Sequence, residues 1–116
     1  MHNEFAIVLF NGVQVRRTWH KDEWWLSVVD VCTILTDSVD GGAYWRKLKQ
    51  RLRKEGSEVV TFCHGLKLQS QDGKKYTTDC ANAEGILRII QSIPSPKTEP
   101  FKRWLAKVGY DRIQEI

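Results

Sequence analysis

Between residues 46 and 54 stand Arg46, Lys47, Lys49, Arg51, Arg53 and Lys54, six cations with no acid among them. Guanidinium and ammonium groups at this density suit phosphate, and phosphate neutralisation supplies most of the sequence-independent affinity of proteins for DNA. At 3.6 residues per turn, Arg46, Lys49, Gln50 and Arg53 share one helix face and Lys47, Arg51 and Lys54 an adjacent one. An apolar stripe of Tyr44, Trp45, Leu48 and Leu52 is left to pack inward. Exposed helices usually mix charge signs for i,i+4 pairing, so a merely solvated surface explains the run poorly. Arg46, Lys49, Gln50 and Arg53 are therefore expected to face a nucleic-acid groove, with Lys47, Arg51 and Lys54 on phosphates. Lys74 and Lys75, at the tip of a later hairpin, are expected to act as a wing. Arg16-Arg17 has two readings, phosphate contact or the blunting of a sheet edge. Lys102 and Arg103 read as the wet face of an amphipathic helix.

Other chemistry is poorly supported. The glycines form neither a phosphate loop nor a dinucleotide fingerprint. Cys63 and His64 are adjacent, so on a strand they point to opposite faces and cannot act as a nucleophile–base pair. A zinc site needs close Cys or His pairs, and His2, His20, His64, Cys32, Cys63 and Cys80 show no such spacing. No enzyme, cofactor or metal site is expected. A third class, a protein-interaction module, rests on Trp24-Trp25. One face of a strand cannot bury both indoles, so one is either exposed or covered by the C-terminal helices.

A chain of 116 amino acids with five Trp, four Phe and three Tyr describes one folded domain, expected over 4–116. No apolar run approaches the roughly 20 residues of a membrane span, and no secretory signal is apparent. Net charge is +4, but six of the 18 basic residues lie in the 46–54 run, leaving 12 basic against 14 acidic elsewhere. The basicity is one patch. Three widely spaced cysteines fit a reducing, cytoplasmic compartment, with Cys32 as a small buried hydrophobe.

The elements that must position the patch follow from pattern. Phe5–Phe10 is an apolar run ended by the hairpin signal Asn11-Gly12, with Val13–Trp19 returning and Trp24–Leu26 as a third strand. Ser27 caps a helix over 28–35, with Asp30 three residues on. A seven-residue loop, 36–42, leads to a basic helix over 43–54 closed by Gly56. The β-branched stretch 58–63 predicts a strand, and 66–69 and 75–78 predict a hairpin. Thr78 or Asp79 is expected to cap a helix over 81–92. Prolines 94 and 96 break it, and Pro100 opens a last helix carrying Phe101, Trp104, Leu105 and Val108. Gly109 interrupts that helix before 110–116. The expected fold is α+β, a small antiparallel β-meander and a β-hairpin packed with about four helices. Its middle carries a helix-turn-helix-like pair, so that helix, loop, basic helix and lysine-tipped hairpin resemble a winged reader. The chain stops within a helical pattern, which suggests a domain cut from a longer protein.

The run Val8-Leu9-Phe10-Asn11-Gly12, followed by Trp25-Leu26-Ser27-Val28-Val29-Asp30-Val31, resembles the opening of the BRO family N-terminal domain. That domain occurs in phage and prophage antirepressors and in large DNA virus proteins. Thr78-Asp79, Glu84 to Ile90, Ser92-Ile93-Pro94-Ser95-Pro96-Lys97 and Pro100 to Leu105 resemble its closing half, so the likeness spans about residues 5–115. The resemblance implies a non-catalytic DNA-binding domain of a transcriptional regulator, placed before a variable C-terminal domain. Its partners would be duplex DNA, with a phage repressor protein as the alternative and a homodimer as the possible assembly. The family's middle region varies, so the resemblance assigns no role to residues 46–54.

Overall fold

In the computed structural model, which describes residues 5–108, alternating side chains build strands β1 (Phe5–Phe10), β2 (Val13–His20) and β3 (Glu23–Ser27). Two helices follow, α1 (Val28–Thr36) and α2 (Gly41–Lys54), then a 3₁₀ turn (Val59–Phe62). Strands β4 (His64–Gln69) and β5 (Lys75–Ala81) lead to α3 (Ala83–Ile90) and α4 (Thr98–Val108). The architecture is α+β, as expected. Meander and hairpin, however, are not separate pieces. They form one antiparallel sheet of order β1-β2-β3-β5-β4, joined where Leu26 pairs Ala81 and Ser27 pairs Cys80.

The join exists because β3 leaves the sheet early. Ser27 ends the strand and caps α1, its hydroxyl accepting from the Asp30 amide. Asp30 does not close a capping box. Its carboxylate instead accepts from the Arg16 main-chain N–H, a donor on β2 at the position where β3 turns away, and from the Arg16 guanidinium, each at 2.9 Å.

Strand alternation puts Val15, Trp24, Leu26 and Ala81 on the side covered by helices. They pack there with Val31, Trp45, Ile86 and Phe101. Trp25 points the other way and is also buried, in a second small cluster with Leu68 and Cys80. Neither indole of the pair is exposed, and the second lies under the β4–β5 hairpin rather than under the C-terminal helices. The sheet is coiled enough for this that Arg16 on β2 donates to the Gln69 carbonyl on β4.

Several boundaries differ from expectation, each for a local reason. The stretch 58–63 is a 3₁₀ turn and not a strand: Thr61 and Cys63 amides bond back to Glu58 and Val60, and Ser57 Oγ accepts from Val59. β5 runs on to Ala81, so neither Thr78 nor Asp79 caps α3; Asn82 does, accepting from Gly85. Helix α4 begins at Thr98, with Pro100 inside its first turn, where the missing amide has no helical partner to lose. The stretch 109–116 and His2 lie outside the described residues. Among those described, no helix is long and apolar enough to cross a membrane.

Candidate nucleic-acid interface

The basic helix starts earlier than its apolar pattern suggests. Asp40 caps it, accepting from Ala43, and both glycines at 41 and 42 are helical. With α1 extended to Thr36, the connection shrinks from seven residues to four, 37–40, a length ordinary for a helix-turn-helix pair. Gly41 is buried against α1. A Cβ there would stand 2.8 Å from the Val29 carbonyl oxygen and would collide with the Thr33 hydroxyl, so only glycine allows this approach. At its other end the helix closes in a Schellman motif: Gly56, at φ +75°, donates to Arg53 and Ser57 donates to Leu52.

Trp45, Leu48 and Leu52 are buried, and they fix which side of α2 faces out. Arg46, Lys47, Gln50, Arg53 and Lys54 are exposed. The two remaining expected residues flank the buried stripe on opposite sides. Arg51 is exposed and donates to the Ser92 carbonyl beyond α3, 3.2 Å away. Lys49 is half-buried and its ammonium lies 2.9 Å from the Asp79 carboxylate on β5, which also accepts from the Trp45 indole at 2.8 Å. That acid, distant in sequence, is what pattern along the helix alone misses.

Burial tends to raise the Asp79 pKa. Hydrogen bonds from Lys49 and Trp45, with the charges of Lys49 and Arg53, outweigh it and hold the carboxyl below its ordinary value. Asp79 is therefore ionised at neutral pH, joining helix to hairpin. By strand alternation Thr77 and Lys75 share its face of the sheet, and so do their cross-strand partners Lys67 and Gln69. All four are exposed. Lys74 is exposed in the β4–β5 turn, where Asp72 Oδ1 accepts from its amide and Asp72 Oδ2 from the Tyr76 hydroxyl.

The arginines on β2 are structural. β2 is an interior strand, so Arg16 and Arg17 blunt no edge. Arg16 is forked onto Asp30, and Arg17 stacks 3.9 Å above the Trp24 ring while donating to the Val108 carbonyl at the end of α4. Lys102 pairs with Glu99 within α4, and Arg103 is exposed.

The thiols are poor nucleophiles. Burial pushes Cys32 and Cys80 up to about 12 and Cys63 to about 11, so all three stay protonated at neutral pH. The His20 ring faces Trp25 and His64, with centroids 5.7 Å and 6.5 Å away. No cluster of three or more His, Cys, Asp or Glu suited to a metal ion occurs among the described residues.

The family model described as BRO family, N-terminal domain, matches residues 14–110, from β2 through the end of α4. No curated protein and no solved structure matches the chain.

Proposed function

Because the chain belongs to the BRO family, matching its N-terminal domain over residues 14–110, we propose that it binds duplex DNA through α2 as part of a phage- or prophage-type regulator. The observation that carries this reading is the outer surface of α2. Arg46, Lys47, Arg51, Arg53 and Lys54 are exposed there with no acid interleaved. In this reading Arg46, Gln50 and Arg53 are assigned to the groove and Lys47, Arg51 and Lys54 to phosphates. The Asp79 pairing moves Lys49 from the groove-facing set to a role in holding the helix. Lys74 and Lys75 supply the wing. The test is fluorescence anisotropy of a labelled random duplex between about 50 and 200 mM salt. The expected log K against log salt slope is about −4 to −6, as for several neutralised phosphates. Changing Arg46 and Arg53 together to Glu abolishes binding while the fold, read by circular dichroism, survives. A double variant that binds normally removes α2 from the interface.

A second reading, capture of a repressor protein, is favoured by one patch. Ile7 and Leu9, two residues apart on one face of the edge strand β1, are each 57% exposed. An apolar contact of this kind loses little affinity with salt, in contrast to DNA. Changing Ile7 and Leu9 to Lys would abolish repressor binding and leave duplex binding intact.

A further inference from the structure

We infer that the DNA surface does not end with α2 and the Lys74–Lys75 turn but extends along the strands of the β4–β5 hairpin, on the face that carries Asp79, where Lys67 joins Lys75 on phosphates. This rests on the duplex-DNA reading above and adds Lys67, a residue with no place in the run 46–54. Three observations carry it. The first is register: Lys67 pairs Thr77 and Gln69 pairs Lys75, so both lysines lie on the face that carries Asp79. The second is that Asp79 touches α2 directly, through Lys49 and Trp45, which sets this face and the Arg53 side of the helix on one continuous side of the molecule. The third is electrostatic. Of the two acids in the strip, Asp79 is paired with Lys49, and Asp72 stays charged in the turn, where it accepts from Tyr76 and the Lys74 amide, so Lys49, Lys67, Lys74 and Lys75 outnumber them. Glu55 and Glu58 lie beyond the C-terminal end of α2. Each two-residue step along β5 advances about 7 Å, so Lys75 lies roughly 13 Å along the strand from the Asp79 anchor. A single contact helix cannot reach that far sideways. A strand presenting lysines at this spacing follows a phosphate backbone while α2 sits in the adjoining groove.

The experiment compares the 116-residue chain with Lys67→Gln, with the Lys67→Gln/Lys75→Gln pair, and with Lys107→Gln on α4, which packs against β1 at the opposite edge of the sheet. A labelled 20-base-pair random duplex is titrated with each protein across the same salt range. All three positions are exposed, and melting curves verify that each variant is folded. Each hairpin lysine lost weakens binding about 5- to 10-fold near 100 mM salt and flattens the salt slope by about 0.9. Lys107→Gln leaves both unchanged. If the hairpin pair binds and titrates like the parent while the Arg46→Glu/Arg53→Glu protein does not bind, the hairpin extension is wrong and the α2 reading stands. If Lys107→Gln flattens the slope as much as a hairpin change, binding is diffuse and the extension is equally wrong. If the unmodified chain binds no duplex at low salt, both fall together.

Discussion

Asp79 shows how one acid organises a basic surface. Its carboxylate is shared by Lys49 and the Trp45 indole, and its pKa is held below the ordinary aspartate value of about 3.9. A depressed folded pKa gives stability that is complete above the unfolded value and is lost as pH falls through the folded one. Asp79→Asn keeps an oxygen for Trp45 but loses the charge facing Lys49, so the expected cost at pH 7 is about 1 kcal/mol. Urea melts of both proteins should show that gap constant from about pH 5 to 8 and closing below about pH 4. A gap that persists at about pH 2.5 would mean that the charge of Asp79 contributes nothing. Residue type alone gave no warning of these partnerships. Arg16 and Arg17 have the composition of phosphate ligands, yet Asp30 lies 14 positions from Arg16, and Arg17 is tied to Trp24 and to Val108. The six cations of 46–54 were legible because their charge needs no distant partner to be noticed. What Lys49 does was not, because its partner is 30 residues away.

The helix pair depends on two adjacent glycines that look interchangeable in sequence and are not. Gly41 faces α1, where a Cβ would stand 2.8 Å from the Val29 carbonyl, and main chain gives way at high cost. Gly42 faces outward, and a Cβ there meets Asp40 and Arg46 side-chain atoms at ordinary contact distances of 3.4 and 3.5 Å. Gly41→Ala should therefore destabilise by about 2–3 kcal/mol, as overpacking does. Gly42→Ala should be neutral or stabilise by up to about 1 kcal/mol, through helix propensity. The denaturant midpoint of Gly41→Ala should fall while that of Gly42→Ala holds or rises; a fall of the same size in both would refute this packing of α1 on α2. Elements whose signals are local were readable: the Asn11-Gly12 turn, the Ser27 cap, and the inward faces of the helices all stand where pattern puts them. The misread elements were those decided by neighbours. Val59-Val60-Thr61 has strand composition, but the segment packs on α2 and α3, and local turn bonds settle it as 3₁₀. β5 outruns its expected end because Ala81 finds Leu26 on β3.

For the molecule as a whole, the consequential feature is that the hairpin packs over a small apolar cluster of its own. β5 meets β3 through two residue pairs, Asp79 meets α2, and behind them lies a cluster of Trp25, Leu68 and Cys80, separate from the main core. The main core spans all four helices and the sheet, so a defect in the small cluster should not unfold the protein globally. Leu68 is 1% exposed, and truncating it to Ala leaves a cavity costing about 2–5 kcal/mol where the site does not collapse. That cost should fall on the hairpin. Hydrogen exchange of Leu68→Ala is expected to speed up at amides 64–80 and to remain slow in α3. The same variant changes no charge, yet if the hairpin lysines and α2 grip one duplex together, loosening the angle between them weakens binding. The affinity should fall at least 3-fold at constant salt while the salt slope of the residual binding approaches that of the Lys67→Gln/Lys75→Gln protein. Faster exchange in the hairpin with unchanged affinity would show that the hairpin position is irrelevant to binding and that α2 suffices alone. Uniformly faster exchange across α3 and the hairpin would show instead that the two clusters unfold as one unit.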